Sequence, residues 1–87
     1  MRRTGDKMIA SGRVILRRRD GVVVEANGKK FLMGYGAYLV WQSFLEGSTP
    51  EEVIAQAVAL SGMRREEVES LILPLIDEML SKGLLRH

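Results

Sequence analysis

The side chains in this sequence that could take part in chemistry are mainly carboxylates, which can act as acid–base groups or as oxygen ligands for a metal ion. Five of them lie in one segment: Glu66, Glu67, Glu69, Asp77 and Glu78. Their spacing is not that of an oxygen-ligand loop, and solvation of a helix surface explains them more simply. The sequence therefore predicts no metal site.

The groups needed for nucleophilic catalysis are missing or isolated. The only histidine is His87 and there is no cysteine, so the serines and aspartates have no base that could activate them. Gly34 and Gly36 precede a predicted helix but lack the remainder of a dinucleotide-binding fingerprint. We expect neither enzymatic activity nor a cofactor.

Length and composition are those of one small globular domain. With 87 residues, 46% of them hydrophobic and 28% charged, the chain can build one core and is expected to fold. Residues 13–87 are predicted to form this domain and residues 1–12 a flexible tail. The tail lacks the apolar core of a secretory signal, and no apolar run approaches a membrane span. We expect a cytoplasmic protein without membrane association, which the absence of cysteine permits.

Charge is divided unevenly along the chain. Residues 1–30 contain nine Lys and Arg against three acids, whereas residues 31–87 contain four against eight. The basic front half indicates either an anionic partner or ordinary solvation of a strand surface, and the second explanation is the simpler one.

Three short apolar segments, each with strand-forming residues, predict an antiparallel meander: residues 14–16, 22–24 and 31–33. Asn27-Gly28 between the last two segments suits a two-residue type I′ turn, which fixes their register. The predicted opposite pairs are Glu25 with Lys30, Val24 with Phe31, Val23 with Leu32 and Val22 with Met33.

The first turn decides which side chains of the meander are buried. A two-residue loop at Asp20-Gly21 would place Arg17 beside Val24 on the buried face, so we expect a three-residue loop over residues 19–21 that pairs Leu16 with Val24. The face predicted to be buried comprises Val14, Leu16, Val22, Val24, Phe31 and Met33. The outer face carries Ile15, Arg17, Val23, Glu25, Lys30 and Leu32, whose apolar members could form a contact patch.

Two helices are predicted from periodicity and end signals. Apolar residues at helical spacing indicate a core helix over residues 36–46, with Trp41 assigned to packing rather than to ligand stacking. Thr49 is a predicted N-cap and Glu52 completes a capping box, so a second helix begins here and Gly62 ends it.

A third helix is predicted over residues 64–82, with an apolar surface too wide for one packing partner. Its core stripe is predicted to contain Val68, Leu71, Ile72, Leu75 and Met79. A second apolar face adds Leu73, Ile76 and Leu80, with Arg65 and Glu69 near the helix start. Either another element of the domain covers this second face or it borders a groove for a partner. Pro74 faces away from the apolar arc and predicts a solvent-side bend.

Short segments in a fixed order, rather than any single motif, carry a family resemblance over nearly the whole chain. They are Asp20-Gly21-Val22-Val23, Phe31-Leu32, Gly36-Ala37, Val40-Trp41, Leu45-Glu46-Gly47-Ser48-Thr49, Glu51-Glu52-Val53-Ile54 and Leu80-Ser81-Lys82-Gly83-Leu84-Leu85. Together they resemble the PqqD-like family, the coenzyme PQQ synthesis protein D group, whose fold recurs as the leader-peptide recognition element of peptide-modifying enzymes. Where the family usually has a polar capping residue before the first helix, this chain has Met33-Gly34-Tyr35.

The resemblance implies a winged-helix-like α+β domain in which a three-stranded antiparallel meander precedes a three-helix bundle. It also implies a non-catalytic peptide chaperone that binds the leader segment of a ribosomally made precursor peptide and presents it to a modifying enzyme, often a radical SAM protein. In family members the peptide adds as a strand to the third strand and packs against the third helix. The site residues expected by analogy are Lys30, Phe31, Leu32 and Met33 in the strand, and Arg65, Glu69, Leu73, Ile76 and Leu80 in the helix.

Two other functions compete with peptide binding. Arg17-Arg18-Arg19 and Lys29-Lys30 at the hairpin ends would suit a winged-helix nucleic-acid binder, but the acidic third helix would be a poor surface for phosphates. A scaffold that forms a homodimer through the same strand edge is the third hypothesis.

Overall fold

The computed structural model describes residues 6–87 and has the predicted α+β architecture. Within this range an antiparallel meander is followed by three helices, and a small two-stranded sheet joins the two ends of the fold. The elements are β1 (Ile9–Ala10), β2 (Arg13–Arg18), β3 (Gly21–Ala26), β4 (Lys29–Met33), α1 (Tyr35–Gln42), α2 (Pro50–Ser61), α3 (Arg65–Ser81) and β5 (Leu85–Arg86). In this described range, none of the helices combines the length and the apolar character that a bilayer crossing requires.

The hairpin between β3 and β4 is as predicted. Asn27 and Gly28 both have positive φ, 55° and 77°, as a type I′ turn requires. The opposite pairs confirm the predicted register: Val22–Met33, Val23–Leu32, Val24–Phe31 and Glu25–Lys30. The turn residues therefore determine the register of β4.

The pairing of β2 with β3 differs from the prediction. The turn is a two-residue loop at Arg19-Asp20, and a bulge at Ile15 shifts the register so that Leu16 lies opposite Val23. Leu16 is consequently 54% exposed on the outer face instead of buried. The predicted three-residue loop and the predicted burial of Leu16 are both wrong.

Arg17 lies on the inner face, opposite Val22, whereas the prediction placed it on the outer face. Its Nη2 donates to Tyr38 Oη at 3.2 Å, and its guanidinium carbon lies 5.4 Å from the centroid of the tyrosine ring. The bulge then returns Val14 to the inner face, opposite Val24. An arginine is tolerated here because β2 is an edge strand, from which a long side chain reaches a polar partner at the margin of the core.

The segment before β2 is part of the fold from Met8 onward, so the predicted flexible tail over residues 1–12 is wrong for this part. Met8 exchanges backbone hydrogen bonds with Ser48 at 2.7 and 2.9 Å, and β1 pairs with β5. Residues 1–5 of the predicted tail lie outside the described residues. A two-residue strand has no periodicity, so a sequence pattern cannot reveal it.

The start and the end of α2 are confirmed. Thr49 Oγ1 accepts from the backbone N–H of Glu52 at 3.0 Å, and Glu52 Oε1 accepts from the backbone N–H of Thr49 at 2.9 Å. This reciprocal pair is the predicted capping box. Gly62 ends the helix in the left-handed conformation, with a φ of 72°.

Helix α1 is shorter than the predicted helix over residues 36–46, because it ends at Gln42. The chain then continues with hydrogen bonds of the tighter 3₁₀ type. The N–H of Phe44 donates to Trp41 O at 3.0 Å, and the N–H of Leu45 donates to Gln42 O at 3.1 Å. These three-residue steps direct Phe44 into the core, where it is fully buried.

One hydrophobic core joins the described elements. Its buried residues come from the inner face of the meander, from the helices and from both ends of the fold: Met8, Val22, Val24, Ala26, Met33, Tyr38, Val40, Trp41, Phe44, Val53, Ile54, Val68, Ile72, Ile76, Met79, Leu84 and Leu85. Trp41 packs as predicted, and its Nε1 donates to Leu84 O at 3.0 Å. This packing sets the C-terminal half of α3 beside β4.

Candidate functional site

A cleft of about 210 Å³ lies between β4 and the C-terminal half of α3. Its lining comes from β4, the start of α1, the end of α3 and the segment that follows: Phe31, Leu32, Met33, Gly34, Ala37, Leu75, Glu78, Met79, Lys82 and Leu84. One wall of the cleft is strand β4. The other wall is formed by residues that recur at helical spacing along α3. The cleft is therefore built from a strand edge and one flank of a helix.

Strand β4 lies at an edge of the meander, whose order is β2-β3-β4. In the described part of the chain, β4 forms backbone hydrogen bonds with β3 only. Hydrogen-bonded pairs alternate along an antiparallel ladder, and a two-residue turn makes Ala26–Lys29 the first such pair. The N–H and C=O groups of Lys30 and Leu32 are therefore expected to point away from β3, where an added strand could bond to them.

The cleft has a charged end and an apolar end. At the hairpin end, Lys82 Nζ lies 5.8 Å from the centroid of the Phe31 ring and 2.9 Å from Glu78 Oε2. Lys29 and Lys30 are exposed at the same end, and neither forms a salt bridge within residues 6–87. The end toward α1 is apolar, with Ala37, Leu75 and Met79.

The other edge of the meander, β2, is poorly suited to pairing with another strand. The bulge at Ile15 breaks the regular spacing of its backbone groups. Arg13, Arg17 and Arg18 add charged side chains along the strand. Bulges and charges are the features by which proteins protect sheet edges from further strands. Strand β4 also carries two charged residues, Lys29 and Lys30, but it has no bulge, so its backbone groups keep the regular spacing that an added strand requires.

The structure brings together only part of the site expected from the sequence. Lys30, Phe31, Leu32 and Met33 all lie in β4, and the last three line the cleft. None of the expected α3 residues lines it: Arg65, Glu69, Leu73, Ile76 and Leu80. These positions lie roughly 130° around the helix axis from the α3 residues that line the cleft. The helical half of the expected site is therefore revised to the other flank of α3.

The expected α3 residues have different surroundings. Ile76 is 3% exposed and belongs to the core, Leu73 is exposed and Leu80 is half-buried. Arg65 forms salt bridges with Glu69, at 2.8 Å, and with Glu51 of α2. Hydrogen bonds to Glu69 and then to Glu51 raise the pKa of Arg65. Arg65 therefore links α2 to α3 instead of facing β4.

Sequence patterns did not reveal the residues of α3 that do line the cleft, or the residue directly after the helix: Leu75, Glu78, Met79 and Lys82. Periodicity assigns Leu75 and Met79 to the core stripe, and the four-residue spacing of Glu78 and Lys82 indicates only a surface pair on a helix. Leu71, expected in the core stripe, is 60% exposed. The buried stripe of α3 is thus rotated toward Ile76, which leaves the opposite flank to border the cleft.

Comparisons with known proteins add no assignment to this geometry. No protein-family model, no curated protein and no solved structure matches the chain. Within the described residues, no group of three or more His, Asp or Glu side chains could hold a metal ion.

Proposed function

We propose that this chain is a non-catalytic peptide-binding domain that takes up an extended segment as an additional strand on β4. The observation that carries the proposal is a regular, open strand edge with a cleft directly beside it that is charged at one end and apolar at the other. The edge supplies backbone hydrogen bonds that do not depend on sequence, and the cleft receives alternate side chains of the added strand. These are the two requirements of strand addition.

Charges around the cleft indicate which peptides fit best. Lys29 and Lys30, which form no salt bridge within residues 6–87, favour a carboxylate at the hairpin end, beside the pair of Lys82 and Glu78. Leu75 and Met79 favour a large apolar side chain toward α1. Side chains on one face of a strand recur at every second residue. A peptide can therefore reach both ends of the cleft when an apolar residue and an acidic residue lie on the same face of the added strand. Two such residues are separated by an odd number of residues.

The family resemblance supports one source for this peptide, the leader segment of a ribosomally made precursor. In this proposal the domain holds the leader while a separate modifying enzyme, such as a radical SAM protein, acts on the rest of the precursor. The chain contributes binding and positioning rather than chemistry, which agrees with its scarcity of catalytic side chains.

A nucleic-acid-binding function has less support. Arg13 is paired with Glu25 and Arg18 with Asp20, each at 3.2 Å, so part of the basic strand surface is already matched by carboxylates. In winged-helix recognition α3 would enter the groove, and its carboxylates would repel phosphate: Glu66, Glu67, Glu69, Asp77 and Glu78.

Strand addition is tested by removing one backbone donor from the open edge. A linear peptide selected from a displayed random library is synthesised, and its affinity is measured by calorimetry. Leu32→Pro removes the N–H that is expected to point away from β3 while sparing the ladder to β3. We expect affinity to fall about tenfold or more. Leu32→Ala removes the same side chain but keeps the N–H, and this matched control is expected to lose less.

Amide NMR shifts on adding the same peptide locate the site independently. The largest shifts are expected in residues 29–34 and 75–82. Shifts confined to residues 17–19, or the same loss of affinity in both Leu32 variants, would contradict strand addition at β4. Tight and steeply salt-dependent binding of duplex DNA, without peptide binding, would favour the nucleic-acid function instead.

A further inference from the structure

A second and larger cavity, of about 420 Å³, lies between α1 and α2. Its lining includes the buried side chains of Val40, Val53 and Ile72, together with the exposed side chains of Leu39 and Leu60. It shares no lining residue with the cleft between β4 and α3. We refer to this cavity and its exposed leucines as the α1–α2 face.

The α1–α2 face is uncharged in a chain that is rich in charge. Lys, Arg, Asp and Glu make up 28% of the sequence, yet none occurs in residues 31–45 or 53–63, which contain α1 and most of α2. The residues that line the cavity are apolar, Gln or Ser. Depletion of charge relative to the remaining surface is characteristic of the centre of a protein–protein interface.

Two leucines project from this face into solvent. Leu39 is 62% exposed and Leu60 is 82% exposed. Each gains little from the folding of its own chain, because the benefit of an apolar side chain follows the area removed from water. Both border a cavity that apolar side chains could fill. The α1–α2 face therefore carries an apolar projection next to an apolar depression.

We propose that the α1–α2 face binds the same face of a second copy of this chain, forming a symmetric dimer. In a two-fold interface, a residue near the axis approaches its own copy, so charged residues there would repel one another and uncharged residues do not. Leu60 of each copy enters the cavity of the other. A partner of another kind with a charged surface would find no opposite charge on this face.

Side-chain amides of Gln42 and Gln56 at this face suit the same arrangement. An amide group is both donor and acceptor, so it can form a hydrogen bond with its own copy across a two-fold axis. The basic strands and the acidic α3 have no such self-complementarity.

This dimer leaves the open edge of β4 free, and the proposal does not rest on peptide binding. It also differs from a dimer that forms through the strand edge, because a peptide added to β4 would dissolve that dimer and would leave this one intact.

Sedimentation equilibrium of the full chain over a wide range of concentrations tests the proposal. The unmodified chain is expected to form dimers, and Leu60→Asp is expected to raise the dissociation constant about tenfold or more. Gln56→Glu is nearly isosteric and places like charges on facing copies, so it should act in the same direction without disturbing the fold. Leu71→Asp is the matched control, at a leucine that is 60% exposed on α3 and lies outside the cavity.

Each outcome decides for or against the proposal. A dimer weakened by Leu60→Asp and by Gln56→Glu, but not by Leu71→Asp or by saturating peptide, supports it. A chain that stays monomeric at every concentration overturns it. A dimer that withstands either change, one that Leu71→Asp weakens equally, or one that dissolves when peptide is added also overturns it, because its interface would then lie elsewhere.

Discussion

Lys82 connects the two walls of the cleft at the scale of single residues. Its ammonium lies over the ring of Phe31 in β4 and pairs with Glu78 one turn earlier in α3. Exposed ion pairs of this kind contribute little to stability. In the proposed peptide complex, Lys82 therefore acts chiefly on the ligand, to which it offers a cation at the rim of the cleft.

Reversing the charge of Lys82 is expected to weaken the binding of a peptide that carries a carboxylate at the hairpin end. Lys82→Glu replaces attraction by repulsion, and we expect a loss of about tenfold, or about 1.4 kcal/mol. Calorimetric titration at two salt concentrations measures the loss, which should shrink as salt is added. Arg64→Glu makes the same change in charge before the first turn of α3 and should leave the affinity unchanged. An equal loss in both variants would show that only net charge acts.

The N-terminus of α2 is the best-defined feature at the scale of single elements. Besides the capping box, Ser48 Oγ donates to Glu52 Oε1 at 3.0 Å. The hydrogen bond from the backbone N–H of Thr49, and next the one from Ser48, lower the pKa of Glu52 below its ordinary value of 4.5. The hydrogen bonds at the start of this helix thus favour the ionised form of the Glu52 carboxylate.

Stability is expected to depend on pH through Glu52. Because its folded-state pKa lies below its unfolded-state pKa, its contribution is complete above the unfolded value and is lost as pH falls through the folded value. Glu52→Gln should therefore be less stable than the unmodified chain near neutral pH, and the two should converge as pH falls below about 4.5. Thermal unfolding followed by circular dichroism across this range measures the difference.

The control for this pH effect is Glu46→Gln, which removes an exposed carboxylate outside the capping box. Its unfolding temperature should follow that of the unmodified chain at every pH. A stability difference for Glu52→Gln that stays constant from neutral to acid pH would contradict the coupling.

Trp41 holds distant parts of the chain together at the scale of the whole molecule. Its Nε1 donates to Leu84 O at 3.0 Å and lies 3.3 Å from Ser11 O. The backbone N–H of Ser11 donates to Leu84 O at 2.8 Å. One indole in α1 thereby joins the segment before β2 to the segment after α3.

Replacing Trp41 with Phe is expected to lower the free energy of unfolding by about 2 kcal/mol, because it removes a buried donor and leaves a small cavity. Urea unfolding should be followed by far-ultraviolet circular dichroism, since the chain has no other tryptophan. Tyr35→Phe is the control: it also removes an aromatic donor, from Tyr35 Oη to Arg18 O at 2.6 Å, but at an exposed site. A loss for Trp41→Phe no larger than that for Tyr35→Phe would contradict the role of the indole.

Two separate surfaces follow from this arrangement. The open strand edge with its cleft lies on one side of α1, where Ala37 lines the cleft, and the α1–α2 face begins at Leu39. Because the two surfaces share no lining residue, the proposed dimer and the proposed peptide complex use different residues.

Features whose physics is contained in a few neighbouring residues could be predicted from the sequence alone. Asn27-Gly28 determines a turn with two positive φ angles and hence the register of β4. Thr49 and Glu52 determine where α2 begins, and Gly62 where it ends. The α+β order of elements follows from such signals together with apolar periodicity. These features also place Phe31, Leu32 and Met33 in the strand that borders the cleft.

Only the tertiary structure decided the features that depend on residues far apart in the sequence. Arg17, on the inner face after the bulge at Ile15, contacts Tyr38, and Met8 pairs with Ser48. A helical wheel gives the width of the apolar arc of α3 but not which flank meets the sheet. That choice follows from the packing of the other helices against α3, which buries Ile76 and leaves Lys82 facing Phe31.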